Sequence, residues 1–186
     1  MNLFINKNTC LKVMLGLFIF LQVLTVYAST EVENAAYEAR YRQAGHPATT
    51  PSMFDELSRD SNVSIRKRVA SNRKTPKNIL LSLANDPDQG VKISLATNLS
   101  AAEDVHLVLA RDQTLAVRSV VARFEYVPVA ALEILSKDKV VDIRLEVARN
   151  LNSTKAILTR LSHDADNLVQ AVAEQALQRL RDDENL

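Results

Sequence analysis

Tryptophan is absent from this chain, cysteine occurs once, glycine three times and proline five times. So little glycine and proline argues against a sheet held by tight turns and favours helices. The one cysteine, Cys10, lies in a segment expected to be removed. The mature chain is then left without a disulfide, a cysteine-ligated metal or a thiol nucleophile. Aromatic residues make up 5% of the 186 positions while hydrophobic residues make up 47%, so any core must be aliphatic. That is enough for one domain held by its core alone. No nucleophile elbow, P-loop or HExxH motif is present, and no histidine has another histidine or a cysteine at helical spacing. We expect neither an enzyme nor a cofactor nor a metal site.

Neither sign of charge dominates. The chain carries +1, and loss of Lys7 and Lys12 leaves 21 basic residues against 22 acidic ones. A mature charge of −1 is a poor match to nucleic acid or an acidic membrane.

What the chain does have begins with a long apolar run. Lys7 and Lys12 precede an uncharged stretch from Val13 to Val26, and Val26-Tyr27-Ala28 presents residues that a signal peptidase reads. Residues 1–28 are expected to be a signal peptide cleaved after Ala28, which makes the mature protein periplasmic or secreted, with no membrane attachment. An uncleaved anchor is the alternative, although the run is shorter than the ~20 apolar residues that a spanning helix needs.

The second feature is a repeat. Asp60, Asp86, Asp112, Asp138 and Asp164 recur every 26 residues. Leu57, Leu83, Leu109, Leu135 and Leu161 keep the same step, as do Ile65, Val91, Val117, Ile143 and Val169. Arg66, Lys92, Arg118 and Arg144 follow each of the first four of that last series. Ala70, Ala96, Ala122 and Ala148 mark a slot where two helix backbones can approach closely. The units are 46–71, 72–97, 98–123, 124–149 and 150–175, opened by His46, Asn72, Asn98, Phe124 and Asn150.

Each unit reads as two short helices. In the second, Thr75 and Pro76 suit an N-cap and first helical position. Ile79, Leu80 and Leu83 make an apolar stripe. Asn85-Asp86-Pro87-Asp88 breaks the helix, Asp88 caps the next one, and Asn98 closes it in the left-handed conformation that Asn tolerates. Helices this short bury their stripes only by stacking on their neighbours. The expected fold is therefore all-α, an α-solenoid of five two-helix repeats over 46–175. Residues 29–45 form an N-terminal capping helix, opened by a Thr30/Glu33 capping box. Residues 176–186 form a C-terminal cap and acidic tail.

The run NRKTPKNILLSLANDPDQGVKISLATN, from Asn72 to Asn98, resembles the leucine-rich repeat variant, a bacterial relative of HEAT and armadillo repeats. The resemblance rests on Thr75-Pro76, Leu80, Leu83-Ala84, Asp86, Asp88, Val91-Lys92, Leu95-Ala96 and Asn98. It implies a right-handed superhelix with two helices per unit, one of them often 3₁₀. It also implies that an Asp and the basic residue six positions later bond between neighbouring units. The iron–sulfur cluster of some members needs cysteines that this sequence lacks, so it is not carried over.

An Asp–basic ladder present in every unit is expected to be structural, and a binding face is sought where units differ. On the second helices the varying positions include Arg68, Arg123 and Arg149. The fourth unit opens with Phe124-Glu125-Tyr126 where Asn72 and Asn98 open others. A bulky residue dislikes positive φ, so an altered turn is expected there. Aromatics and Arg dominate binding hot spots. Arg68, Arg123, Phe124, Tyr126 and Arg149 are the candidate partner-binding residues of a monomeric protein-binding scaffold. A polyanion- or nucleic-acid-binding solenoid is the alternative. His106 sits in the slot of Leu80 and Leu132 and is expected in the core, His163 at the surface.

Overall fold

The computed structural model describes residues 7–184. Residues 1–6, where the expected targeting segment begins, and 185–186, where the expected tail ends, lie outside that range. The described residues form eleven α-helices and no strand. The chain divides into two compact units, one ending at Arg42 and one beginning at Gln43.

The first unit is most of helix α1, Lys7–Gly45. It is apolar and long enough to cross a membrane by composition, and its apolar window is fully exposed; a signal sequence meets the same description. No helix start separates Ala28 from Ser29. The Thr30/Glu33 capping box does not form: the Thr30 hydroxyl donates to Tyr27 O at 2.8 Å as a mid-helix side chain. The reason is local, since Val26 to Ala36 contains neither Gly nor Pro to stop a helix that is already propagating.

The second unit contains five helix pairs. They are α2 (Pro51–Leu57) with α3 (Val63–Ser71), α4 (Lys77–Leu83) with α5 (Gln89–Ala96), and α6 (Glu103–Leu109) with α7 (Leu115–Arg123). Next come α8 (Val129–Leu135) with α9 (Val141–Arg149), and α10 (Lys155–Leu161) with α11 (Asn167–Glu184). The helix α3 packs on α5, α5 on α7, α7 on α9 and α9 on α11, while α4 packs on α6 and α6 on α8. Both helices of each pair are α-helical, with no 3₁₀ member.

Every apolar register seen in the sequence points inward. Ile65, Val91, Val117, Ile143 and Val169 are all fully buried, and so are Ala70, Ala96, Ala122 and Ala148. Each large aliphatic so placed contributes about 1.5–3 kcal/mol before chain entropy is counted. The small-residue register starts one unit earlier than expected, at the buried Ala44. At the other end, Glu174 takes the small slot and is exposed, and α11 runs on through Leu177 and Leu180.

The turns differ from expectation in three ways. Asp88 does cap α5, its Oδ1 accepting from the N–H groups of Gly90 and Val91. Thr75, however, is not the N-cap of α4; its buried hydroxyl donates to Val69 O at 2.7 Å, tying the turn back to α3. The slot that opens each unit is not left-handed either: Asn72 and Asn150 have φ −75° and −69°, and no described non-glycine residue has positive φ. Phe124, at φ −65° and ψ 126°, therefore fits the same backbone without an altered turn. What changes at Phe124 is hydrogen bonding.

Candidate functional site

Two sets of side chains tie neighbouring helix pairs together, one at each end of the paired helices. The first lies at the turns within pairs. Arg66 reaches forward to Asp86, Lys92 to Asp112, Arg118 to Asp138 and Arg144 to Asp164, at 2.6–2.7 Å and always 20 residues apart. The carboxylate partner is thus the next unit's Asp. The Asp six positions back offers its backbone instead: Arg66, Arg118 and Arg144 also donate Nη1–H to the carbonyls of Asp60, Asp112 and Asp138. Each carboxylate in turn accepts the N–H two residues on, at 2.8–2.9 Å, which fixes the turn. One guanidinium so joins two turns, in a geometry that charge-assisted bidentate bonding favours.

The electrostatics follow from this geometry. Burial pushes the carboxyls of Asp112 and Asp138 up, but Lys92 and Arg118, with the N–H groups of Thr114 and Val140, outweigh it and hold both below the ordinary value. Arg144 holds Asp164 below it as well, against a smaller effect of burial. The hydrogen bonds to Asp86 and Asp164 raise Arg66 and Arg144. The ladder is internally paired and nearly buried, so it offers no free charge to a partner.

Lys92 is the weak rung. Its ammonium makes one contact, to Asp112 Oδ2, where the arginines grip both carboxylate oxygens. Lys92→Arg should supply the missing fork and raise stability by about 0.5–1 kcal/mol, seen as a melting temperature about 2–4 °C higher. An unchanged or lowered melting temperature would show that the forked geometry adds nothing at this turn.

The second set lies at the turns between pairs. Asn72 Nδ2 donates to Ala44 O, Asn98 Nδ2 to Ala70 O and Asn150 Nδ2 to Ala122 O, at 2.7–2.9 Å. The donor always stands 28 residues after its acceptor. Each Asn, following α3, α5 or α9, thus clamps the end of the helix packed before it, α1, α3 or α7, while its Oδ1 accepts from the backbone two residues on.

Phe124 cannot make this clamp, and the carbonyl it would have bound is Ala96 O. That carbonyl is met by His106 Nε2 at 3.2 Å, while Nδ1 lies 3.3 Å from Ala102 O in its own turn. His106 is 2% exposed and stacks on Phe124, with ring centroids 5.9 Å apart and planes 7° from parallel. Phe124 in turn meets Tyr126 edge-on at 5.9 Å, and Tyr126 is 62% exposed. His106 is buried as expected, but as a polar clamp, which its Leu slot did not reveal. The available signal was that two departures from the repeat, His106 and Phe124, stand in consecutive units.

Of the candidate partner-binding residues, Phe124 and Tyr126 are in ring contact. Arg123 ends α7 and Arg149 ends α9, both exposed on helices packed side by side, with Phe124 and Tyr126 following Arg123. Arg68 is placed apart from them, on α3, where its guanidinium lies over Gly45; a Cβ on Gly45 would meet Nε at 2.2 Å. His163 is at the surface. Among the described residues no group of three or more His, Cys, Asp or Glu could hold a metal ion. Comparison with family models, with curated proteins and with solved structures finds no match.

Proposed function

We propose that residues 46–175 are a right-handed α-solenoid of five 26-residue repeats, similar to the leucine-rich repeat variant, and that the chain is an exported protein-binding scaffold. The ion pair repeated at a constant 20-residue step through four successive turns supports the stacking. A stack spends its recurring residues on its own interfaces and leaves the varying ones to a partner. The observation that carries the binding reading is the Phe124–Tyr126 junction. There the repeat gives up its Asn clamp, fills the gap from another helix, and exposes a tyrosine three residues after the exposed Arg123. Exposed aromatics flanked by arginines suit a protein interface.

A photo-crosslinking residue at position 126, in the native compartment, is expected to capture a defined partner. Arg123→Glu in the same chain should lower that capture by about fivefold or more. Undiminished capture in the Arg123→Glu chain would refute the site. Export rests on the apolar N-terminus, and the mature protein should begin at Ser29 by mass spectrometry. A membrane-bound chain retaining residues 1–28 would establish the anchor alternative.

A further inference from the structure

Charge is not evenly spread along the turns within pairs. Two shallow grooves, about 520 and about 720 Å³, flank the turn 110–114 and share Arg111, Asp112 and Gln113. The second groove is also lined by Lys137 and Lys139. The carboxylates in these grooves are already neutralised, Asp112 by Lys92 and Asp138 by Arg118, each at 2.6 Å. Arg111, Lys137 and Lys139 are exposed and form no ion pair among the described residues; Arg111 donates Nη1–H only to Leu107 O, at the end of its own helix. The other turns of this edge are different. Arg59 is paired with Asp55, Asn85 is neutral beside Asp88, and His163 stands near Asp166. Three exposed cations outside any ion pair, of which Lys139 also acts through space on Asp138, are thus confined to two adjacent turns, above half-buried Val108 and Ile134 and buried Ala110.

From this charge accounting we infer that the groove at turns 110–114 and 136–140 binds an acidic segment of a protein partner, its carboxylates on Arg111, Lys137 and Lys139 and its apolar side chains toward Val108 and Ile134. The site lies at the opposite end of the paired helices from Tyr126 and does not depend on that junction. Three cations match three carboxylates, whereas a nucleic-acid site of six to ten phosphate contacts needs roughly two to three times as many. The apolar floor has a use for Leu or Val side chains and none for a phosphate backbone. Complementary charge of this kind governs partner choice and association rate.

The test is fluorescence anisotropy on the full chain in a neutral detergent, with a labelled decapeptide of alternating Glu and Leu. A Ser–Leu decapeptide and a single-stranded oligonucleotide serve as competitors. The Glu–Leu peptide should bind, weaken as salt rises, and lose at least about tenfold in affinity in Arg111→Glu/Lys137→Glu/Lys139→Glu. The milder triple change to Gln should show a smaller loss in the same direction and guards against misfolding. Arg123→Glu/Tyr126→Ala should bind the peptide as the unaltered chain does, which separates this site from the junction. Binding equal in the Glu triple variant, equal affinity for the Ser–Leu peptide, or tighter capture of the oligonucleotide would each overturn the inference.

Discussion

Asp138→Ala is expected to destabilise the fold by about 3–5 kcal/mol, enough to leave little of an ordinary domain's stability. The effect has three parts. The change strips Arg118, a residue 7% exposed in the unaltered chain, of both carboxylate contacts. It removes the acceptor of the Val140 N–H, so the turn before α9 loses its lock. It also cuts the one side-chain ion pair that, among the described residues, joins α7 to the turn before α9. Asp138→Asn keeps the shape and an acceptor for Val140 but gives up the charge, and should fall between Ala and the unaltered chain. Asp55→Ala tests the converse: its pair with Arg59 is 49% and 71% exposed, and the loss should be under about 1 kcal/mol. Chemical denaturation of the three variants reads these values. If Asp138→Ala cost no more than Asp55→Ala, the ladder would not hold the units together.

The same pairs set a pH limit. Asp112, Asp138 and Asp164 are all held below the ordinary carboxylate value when folded. A depressed folded value means stability that is fully present above the unfolded value, about 4, and lost as pH falls through the folded ones. Thermal denaturation should therefore be nearly flat from about pH 7 to about pH 5 and fall steeply below about pH 4, with a shallower fall in Asp138→Ala.

That ladder also shows how far the sequence could be read. The recurrence of Asp60 through Asp164 and of the apolar slots located the helices and the buried faces, because burial at a fixed period must repeat the residue types that burial selects. Partner choice was less accessible. Asp112 has a basic residue 6 positions after it and another 20 before it, and spacing alone does not say which one reaches the carboxylate. The structure divides the roles, Arg118 taking the backbone of Asp112 and Lys92 its side chain. The Asn register is visible in the sequence, but the backbone conformation it suggests is not the one it serves. Asn tolerates a left-handed backbone and also carries a side-chain donor, and here the donor is what the fold uses. Thr75 failed in the same way, its hydroxyl serving Val69 O across the turn. Residues with two polar uses hide their role until the three-dimensional neighbour is known. The groove cations were hidden for another reason: the sequence shows Arg111, Lys137 and Lys139 but not that the nearby aspartates are already taken.

The exchange of an Asn clamp for a histidine gives the second large effect, and a double-mutant cycle is the measurement that isolates it. His106→Leu restores the residue type of Leu80 and Leu132 but withdraws the donor from Ala96 O. A buried acceptor left bare costs about 1–3 kcal/mol, part of which the more apolar leucine offsets. Phe124→Asn alone brings in a clamp where one already exists and loses the ring that stacks on His106. His106→Leu/Phe124→Asn makes the third and fourth units resemble the others, with Asn at 124 donating to Ala96 O as Asn98 does to Ala70 O. The pair should be more stable than the sum of the single changes by about 1–3 kcal/mol, far above the few tenths expected of independent sites. A coupling near zero would mean that His106 and Phe124 departed from the repeat separately. A coupling of the expected size would mean that one structural need, a donor for the Ala96 carbonyl, was moved to another helix. Position 124 is thereby free to carry an aromatic ring, and the exposed Tyr126 has a firm neighbour to lean on.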